Sequence, residues 1–167
     1  RLCRDWSSDV CSSDLPCGRR ASHWASAMTD SIQYTVNGPF KPEEIQLLIN
    51  SAGLTRIEPL SRLVGMVTGS DAYVTALTEE TLIGFGRLLT DYHSIAYINY
   101  MVVDPAYQRK GVGQAILEKL LEAAGDVERV FLYTDTADEF YMRNGFSPSE
   151  KRLYVRRKKG TERRDPS

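Results

Sequence analysis

The stretch Val102-Val103-Asp104-Pro105-Ala106-Tyr107-Gln108-Arg109-Lys110-Gly111-Val112-Gly113 joins an apolar strand end to a basic turn with two closely spaced glycines. Proline at 105 stops ladder pairing just after the apolar run. The first amides of a following helix have no intrahelical acceptor, and the helix dipole adds partial positive charge there. Such a turn suits a phosphate, and Gly111 and Gly113 remove the side chains that would hold one away. Tight packing of a strand against a helix is the other reading of the same glycines. The ending is not the Gly-Lys-Ser/Thr of a P-loop, and the three-glycine dinucleotide fingerprint is absent.

Upstream of this turn, Ile95 to Val103 is nearly all apolar or aromatic and is expected to be a central strand. Before it, Tyr73 to Thr78 and Leu82 to Leu89 are β-rich runs around Glu79-Glu80-Thr81, which predicts an antiparallel hairpin. Ile32 to Val36 alternates as a first strand should. Pro42, Glu43 and Glu44 open a helix carrying Ile45, Leu48 and Ile49, which ends near Gly53. Pro59 to Gly69 places Leu60, Leu63, Val64 and Val67 at helical spacing.

Downstream, Gly111 to Ala124 sets Val112, Ile116, Leu117, Leu120, Leu121 and Ala124 on one side, and Gly125 supplies the stop. Val130 to Tyr133 reads as a short buried strand, Thr136 to Arg143 as a short helix ended by Asn144-Gly145, and Leu153 to Val155 as a final strand. The antiparallel start argues against a Rossmann unit.

Composition narrows the chemistry. The chain has 167 residues and 42% hydrophobic content, enough for one α/β domain with its own core. A formal net charge of -1 gives no global pull toward nucleic acid or anionic lipid. No apolar run approaches the roughly 20 residues a membrane helix needs. All three cysteines (Cys3, Cys11, Cys17) and both tryptophans (Trp6, Trp24) fall in the first 24 residues. The run Asp5 to Leu15, DWSSDVCSSDL, resembles the in-frame translation of a common sequencing adapter. Residues 1–27 are therefore expected to be a non-native or disordered leader, with Met28 the expected true start, 28–160 the domain and 161–167 a frayed tail. Beyond the leader there is no cysteine for a nucleophile or thiolate metal site, and His93 is the only histidine, so no metal is expected. A cytoplasmic setting fits this composition.

At Val103 to Gly113 the chain resembles the GNAT acetyltransferases, whose pattern is a strand, Val-x-Pro, then Gln/Arg-x-x-Gly-x-Gly/Ala and a helix. Phe140-Tyr141-Met142-Arg143-Asn144-Gly145-Phe146 is similar to the family's Phe/Leu-Tyr-x-x-x-Gly-Phe signature. The order of elements from Ile32 to Val155 also matches. The resemblance implies an α/β (α+β) fold with a mixed, mostly antiparallel central sheet flanked by helices. It implies acetyl-CoA as co-substrate, its pyrophosphate on the amides of Arg109, Lys110, Gly111, Val112 and Gly113, with the Gln108, Arg109 and Lys110 side chains nearby. Backbone groups of Met101, Val102 and Val103 would pair with the pantetheine arm like an added strand. Tyr141 would act as general acid toward the sulfur, or only position the thioester, and the amide of Val102 would be the oxyanion donor.

Two departures from the family stand out. Many members carry a carboxylate on the fourth strand as base, but this chain reads Tyr97-Ile98-Asn99-Tyr100, and neither Asn99 nor Tyr100 is a good base near neutral pH. Asp91 and His93 are fallback candidates, with plain turn residues as the other reading. Seven residues before Tyr141, where an asparagine often contacts pantetheine, this chain has Thr134. The basic run Arg156, Arg157, Lys158 and Lys159 reads as a solvated tail sooner than as an RNA site. The expected acceptor is a small-molecule primary amine, with a homodimer possible. A protein or peptide acetyltransferase and a non-catalytic coenzyme A sensor are the alternatives.

Overall fold

A computed structural model describes residues 31–57, 59–79 and 81–156. The leader with its cysteines and tryptophans, Met28, the tail, and Arg157, Lys158 and Lys159 lie outside these residues. The described chain runs β1 (Ile32–Val36), α1 (Pro42–Ser51), α2 (Leu60–Thr68), β2 (Ala72–Thr78), β3 (Thr81–Thr90), β4 (Ile95–Val103), a 3-10 turn (Pro105–Tyr107), α3 (Val112–Ala124), β5 (Arg129–Phe131) and α4 (Asp138–Arg143). The sheet order is β1-β2-β3-β4-β5, antiparallel from β1 to β4 and parallel between β4 and β5.

The two sheet faces are covered by different helices. Val74 and Ala76 of β2, Leu88 of β3 and Ala96 and Ile98 of β4 pack against Val112, Ile116, Leu117 and Leu120 of α3. On the other face Phe85 and Val102 meet Ile45, Leu48 and Ile49 of α1 and Leu63 and Val67 of α2. Both helices show the apolar spacing that predicts them. α1 starts with Pro42 in its first turn, followed by Glu43 and Glu44, which suit the positive end of the dipole. The Gln46 side chain ties α1 to the following loop by accepting from Ile57 N–H at 3.1 Å and donating to Asn50 at 3.2 Å.

α3 lies close to β3 because glycines leave room for it. A Cβ on Gly84 would stand 2.7 Å from Ile116 Cδ1, 3.1 Å from Val112 Cγ1 and 3.2 Å from Ala76 Cβ. Gly84→Val is therefore expected to overpack this contact and cost about 1–3 kcal/mol, read as a lower denaturant midpoint at unchanged m-value.

Four expectations are corrected. β4 is interior, but β3 is the middle strand of the five. β5 is Arg129–Phe131 rather than Val130 to Tyr133, and it is not buried, since only Val130 is half-covered and Phe131 is 44% exposed. Its pairing with β4 ends at Tyr97↔Phe131, where β5 itself ends. α4 begins at Asp138, two residues later than the spacing suggests. Leu153 to Val155 forms no strand: Tyr154 is 84% exposed, so the segment lacks the half-buried face that makes alternation a strand signal.

Candidate active site

The site begins at an irregularity in β4. Phe85 pairs with Val102 but Arg87 pairs with Asn99, so Tyr100 and Met101 together oppose the single residue Gly86. This is a β-bulge, and Tyr100 takes φ 51° to make it. Asn99 Oδ1 accepts from the Tyr100 N–H at 2.8 Å and supports the turn of the chain. Past Tyr97 β4 has lost β5, so its outer backbone edge from Ile98 onward has no paired strand among the described residues.

Which groups face that edge follows from the register. Asp104 N–H donates to Ile83 C=O at 2.8 Å, which makes Asp104–Ile83, and two residues back Val102–Phe85, the hydrogen-bonded pairs. Val103 points the other way, and its carbonyl accepts from Gln108 Nε2 at 3.1 Å on the open side. Met101 shares the direction of Val103. The amide of Val102, expected as oxyanion donor, is instead turned into the sheet toward Phe85, and the Met101 amide is the one turned outward. The Val102 side chain is buried on the α1/α2 face.

The turn after β4 is built by short-range bonds. Asp104 accepts from Ala106 N–H at 2.9 Å, and Tyr107 N–H returns to Asp104 C=O at 2.8 Å. Arg109 and Gly111 both take left-handed conformations, at φ 60° and 84°. Successive turns of this kind aim amides into a common concavity. The first helical bond of α3 runs from Ala115 N–H to Gly111 C=O at 3.0 Å, so the amides of Val112, Gly113 and Gln114 precede it and lack intrahelical acceptors. Val112 buries its side chain under α3 and offers only its backbone. Arg109 and Lys110 are exposed, and Lys110 Nζ lies 5.0 Å from the centroid of the Tyr107 ring. A Cβ on Gly113 would meet Phe140 and Val103 at an ordinary 3.6 Å. α4 therefore flanks the start of α3 and the end of β4.

Tyr141 is 8% exposed and belongs to the α3-side core. Its ring meets Phe140 at 5.0 Å and Phe146 at 5.7 Å, both edge to face. Its hydroxyl makes no hydrogen bond among the described residues, and burial raises its pKa above 10.0. The group is thus a protonated donor throughout the neutral range. Thr134 Oγ1 accepts from Ala137 N–H at 2.9 Å and caps the approach to α4. Its O–H remains able to donate.

The two fallback bases separate from the site. Asp91 Oδ1 accepts from His93, Ser94 and Ile95 N–H at 3.0, 2.7 and 3.0 Å, which holds the β3–β4 turn. These bonds, Ile95 first, lower its pKa from 3.8 to about 2. Both Asp91 and the exposed His93 sit before Ile95, some six or more residues up the strand from Met101, about 20 Å at 3.3 Å per residue. Because the Asp91 pKa is depressed by folding, its contribution to stability is present above the unfolded value and is lost as pH falls toward about 2. Asp91→Ala is expected to remove that acid-side slope between about pH 4 and 2, with acetyl-CoA affinity unchanged, as a pH series of melting curves and a titration would read.

Arg87, which the sequence did not single out, is 8% exposed on β3 and donates from Nη1 to Met66 C=O of α2 at 2.8 Å. Desolvation lowers its pKa, and the neighbouring Tyr100 and Tyr97 work against that shift. No group of three metal-ligating side chains occurs among the described residues, and no helix among them is long and apolar enough to cross a membrane.

The family model for the acetyltransferase (GNAT) family matches residues 43–146, more than half of the chain and every element from α1 to α4. The chain belongs to the GNAT acetyltransferase family. Among solved structures, a GNAT family protein of Streptococcus pneumoniae superposes with a TM-score of 0.65 at 23% identity, covering 77% of this chain and 100% of that one. This likeness shows the GNAT fold. The histone acetyltransferase TAP1 of Glycine max is 29% identical over 133 residues, 70% of this chain and 56% of that protein. An amino-acid acetyltransferase of Mycobacterium tuberculosis is 37% identical over 71 residues, 41% of this chain and 40% of that protein. The chain thus spans about half the length of the curated relatives it matches.

Proposed function

We propose that this GNAT chain transfers the acetyl group of acetyl-CoA directly to a primary amine of a small molecule within a ternary complex. The observation that carries this reading is the free edge of β4, which opens past Tyr97 and leads through the Tyr100 bulge into the unpaired amides at the start of α3. Backbone donors and acceptors of Met101 and Val103 suit an extended amide-bearing arm laid along that edge as an added strand. The concavity from Arg109 to Gly113 suits the pyrophosphate, with Arg109 and Lys110 supplying charge and Gln108 beside it. Acetyl-CoA supplies an activated acyl group when bound. Met101 N–H, turned outward, is the group suited to hold negative charge on the carbonyl oxygen, and the Tyr141 hydroxyl to protonate the departing thiolate. Thr134 O–H is a further donor toward the arm. No carboxylate on β4 is available as base, so the amine loses its proton to water or to a group outside β4.

On the same reading the domain spans 28–160 and works in the cytoplasm, as a monomer or homodimer, without metal, nucleic acid or membrane. Acetylation of a protein is the second reading, favoured by the likeness to the soybean histone acetyltransferase. A panel of amines, amino acids and histone-tail peptides, followed by thiol release, separates the two. Saturable turnover of small amines is the expected result. Turnover of peptides alone would replace the substrate class, and acetyl-CoA binding without any release would make the chain a sensor.

A further inference from the structure

Among the described residues Arg87 is the only charged side chain that is buried. Its Nη1 bond to Met66 C=O uses one of five N–H donors and leaves Nε and Nη2 without a hydrogen-bond partner among the described residues. Nε is shielded from solvent and has no hydrogen-bond partner. No carboxylate among the described residues forms an ion pair with Arg87. Met66 lies in the last turn of α2, whose negative dipole end offsets part of the charge, and no anionic side chain among the described residues meets the rest. Removing a lone charge from water is costly, and buried charges are ordinarily paired. The α2 carbonyl takes one donor, and a helix end carries only about half a unit charge, so the guanidinium is offset in part.

The position of Arg87 says where a counter-charge would come from. It pairs in register with Asn99, the residue just before the bulge at Tyr100. Its side chain lies on the α1/α2 face, where Tyr100 also packs. Strands are spaced by about 4.8 Å, so Arg87 stands one strand from the end of the edge where the acetyl-bearing end of the donor lies under the proposed function.

We infer that Arg87 is a specificity-determining residue and that the acceptor amine carries a carboxylate, held by the guanidinium through Nη2, its accessible donor. A guanidinium N–H that meets a carboxylate oxygen makes a charge-assisted hydrogen bond, roughly twice as strong as a neutral one. A single guanidinium balances a monoanion, whereas a phosphate dianion would need a second cation. The inference rests on the acetyl-transfer reading for the position of the donor, but its test is a binding measurement that turnover does not enter.

The experiment titrates coenzyme A-loaded protein with matched pairs: leucine and isopentylamine, phenylalanine and phenethylamine, 4-aminobutyrate and propylamine. At least one carboxylate member is expected to bind about 10-fold or more tightly than its partner, the scale of a charge-assisted pair. Arg87→Met is expected to erase that preference while leaving acetyl-CoA affinity within about 2-fold, and not to lower Tm, because it removes a buried charge that is offset only in part. Arg87→Lys, which keeps the charge without the guanidinium, is expected to retain part of the preference and serves alone if Arg87→Met does not fold. Equal binding within every pair overturns the inference, as does a preference that survives in Arg87→Met. A lower Tm with the preference intact marks Arg87 as a cap of α2 only. Carboxylate preference without thiol release from any acceptor sinks acetyl transfer and leaves this inference standing. Release without preference does the reverse.

Discussion

Tyr141→Phe is expected to lower kcat by about 10²-fold or more, the usual contribution of general acid catalysis, with acetyl-CoA affinity within a few-fold of wild type. The substitution deletes one hydroxyl and keeps a ring that packs edge to face on Phe140 and Phe146. That hydroxyl bonds to no described residue, so stability is expected to change by less than about 1 kcal/mol. Burial raises its pKa, which keeps the proton in place until something more basic, such as a departing thiolate, accepts it. The split between kcat and affinity decides the role. If affinity collapses and kcat holds, the hydroxyl positions the donor; wild-type kcat in a folded variant means that another group or water delivers the proton.

Gly113→Glu is expected to weaken acetyl-CoA binding by about 10- to 100-fold, the cost of losing one or two charge-assisted bonds and meeting like charge. Position 113 is the better of the two glycines for this test. A Cβ there meets only ordinary 3.6 Å contacts, and a carboxylate in the first turn of α3 suits the helix dipole, so the fold tolerates it. Gly111 has open space around it, but its φ of 84° strains any other residue, and Gly111→Glu mixes a backbone penalty with the charge effect. Calorimetric titration with acetyl-CoA reads the outcome, and a folded Gly113→Glu protein with unchanged affinity removes the phosphate-binding role of the turn.

Most of the fold was legible because its signals are local. Proline at 42 and 105, glycine at 111 and 125, and the apolar spacings of α1, α2 and α3 each act through φ restriction, capping or periodicity within a few residues. The β2–β3 hairpin and the extent of β4 followed in the same way. The end of the chain was less legible. β5 is three residues long and the Leu153 to Val155 run pairs with nothing, since a strand so short depends on its neighbour and not on its own pattern.

The site divides along the same line. By itself the sequence determined the basic, glycine-containing turn from Gln108 to Gly113 and the aromatic helix that carries Tyr141, because motif spacing fixes which residue types meet a helix start. Tertiary structure alone decided the bulge at Tyr100, since a non-glycine residue at φ 51° carries no mark in its identity. That one extra residue sets which amides face the sheet and which face outward, and so turns Val102 inward and Met101 to the open edge. Packing likewise decided that Asp91 is a turn-holder, by bringing three amides to one carboxylate. It also left Arg87 buried beneath α2 without an anionic side chain among the described residues, a fact that depends on long-range neighbours and that no local pattern can carry.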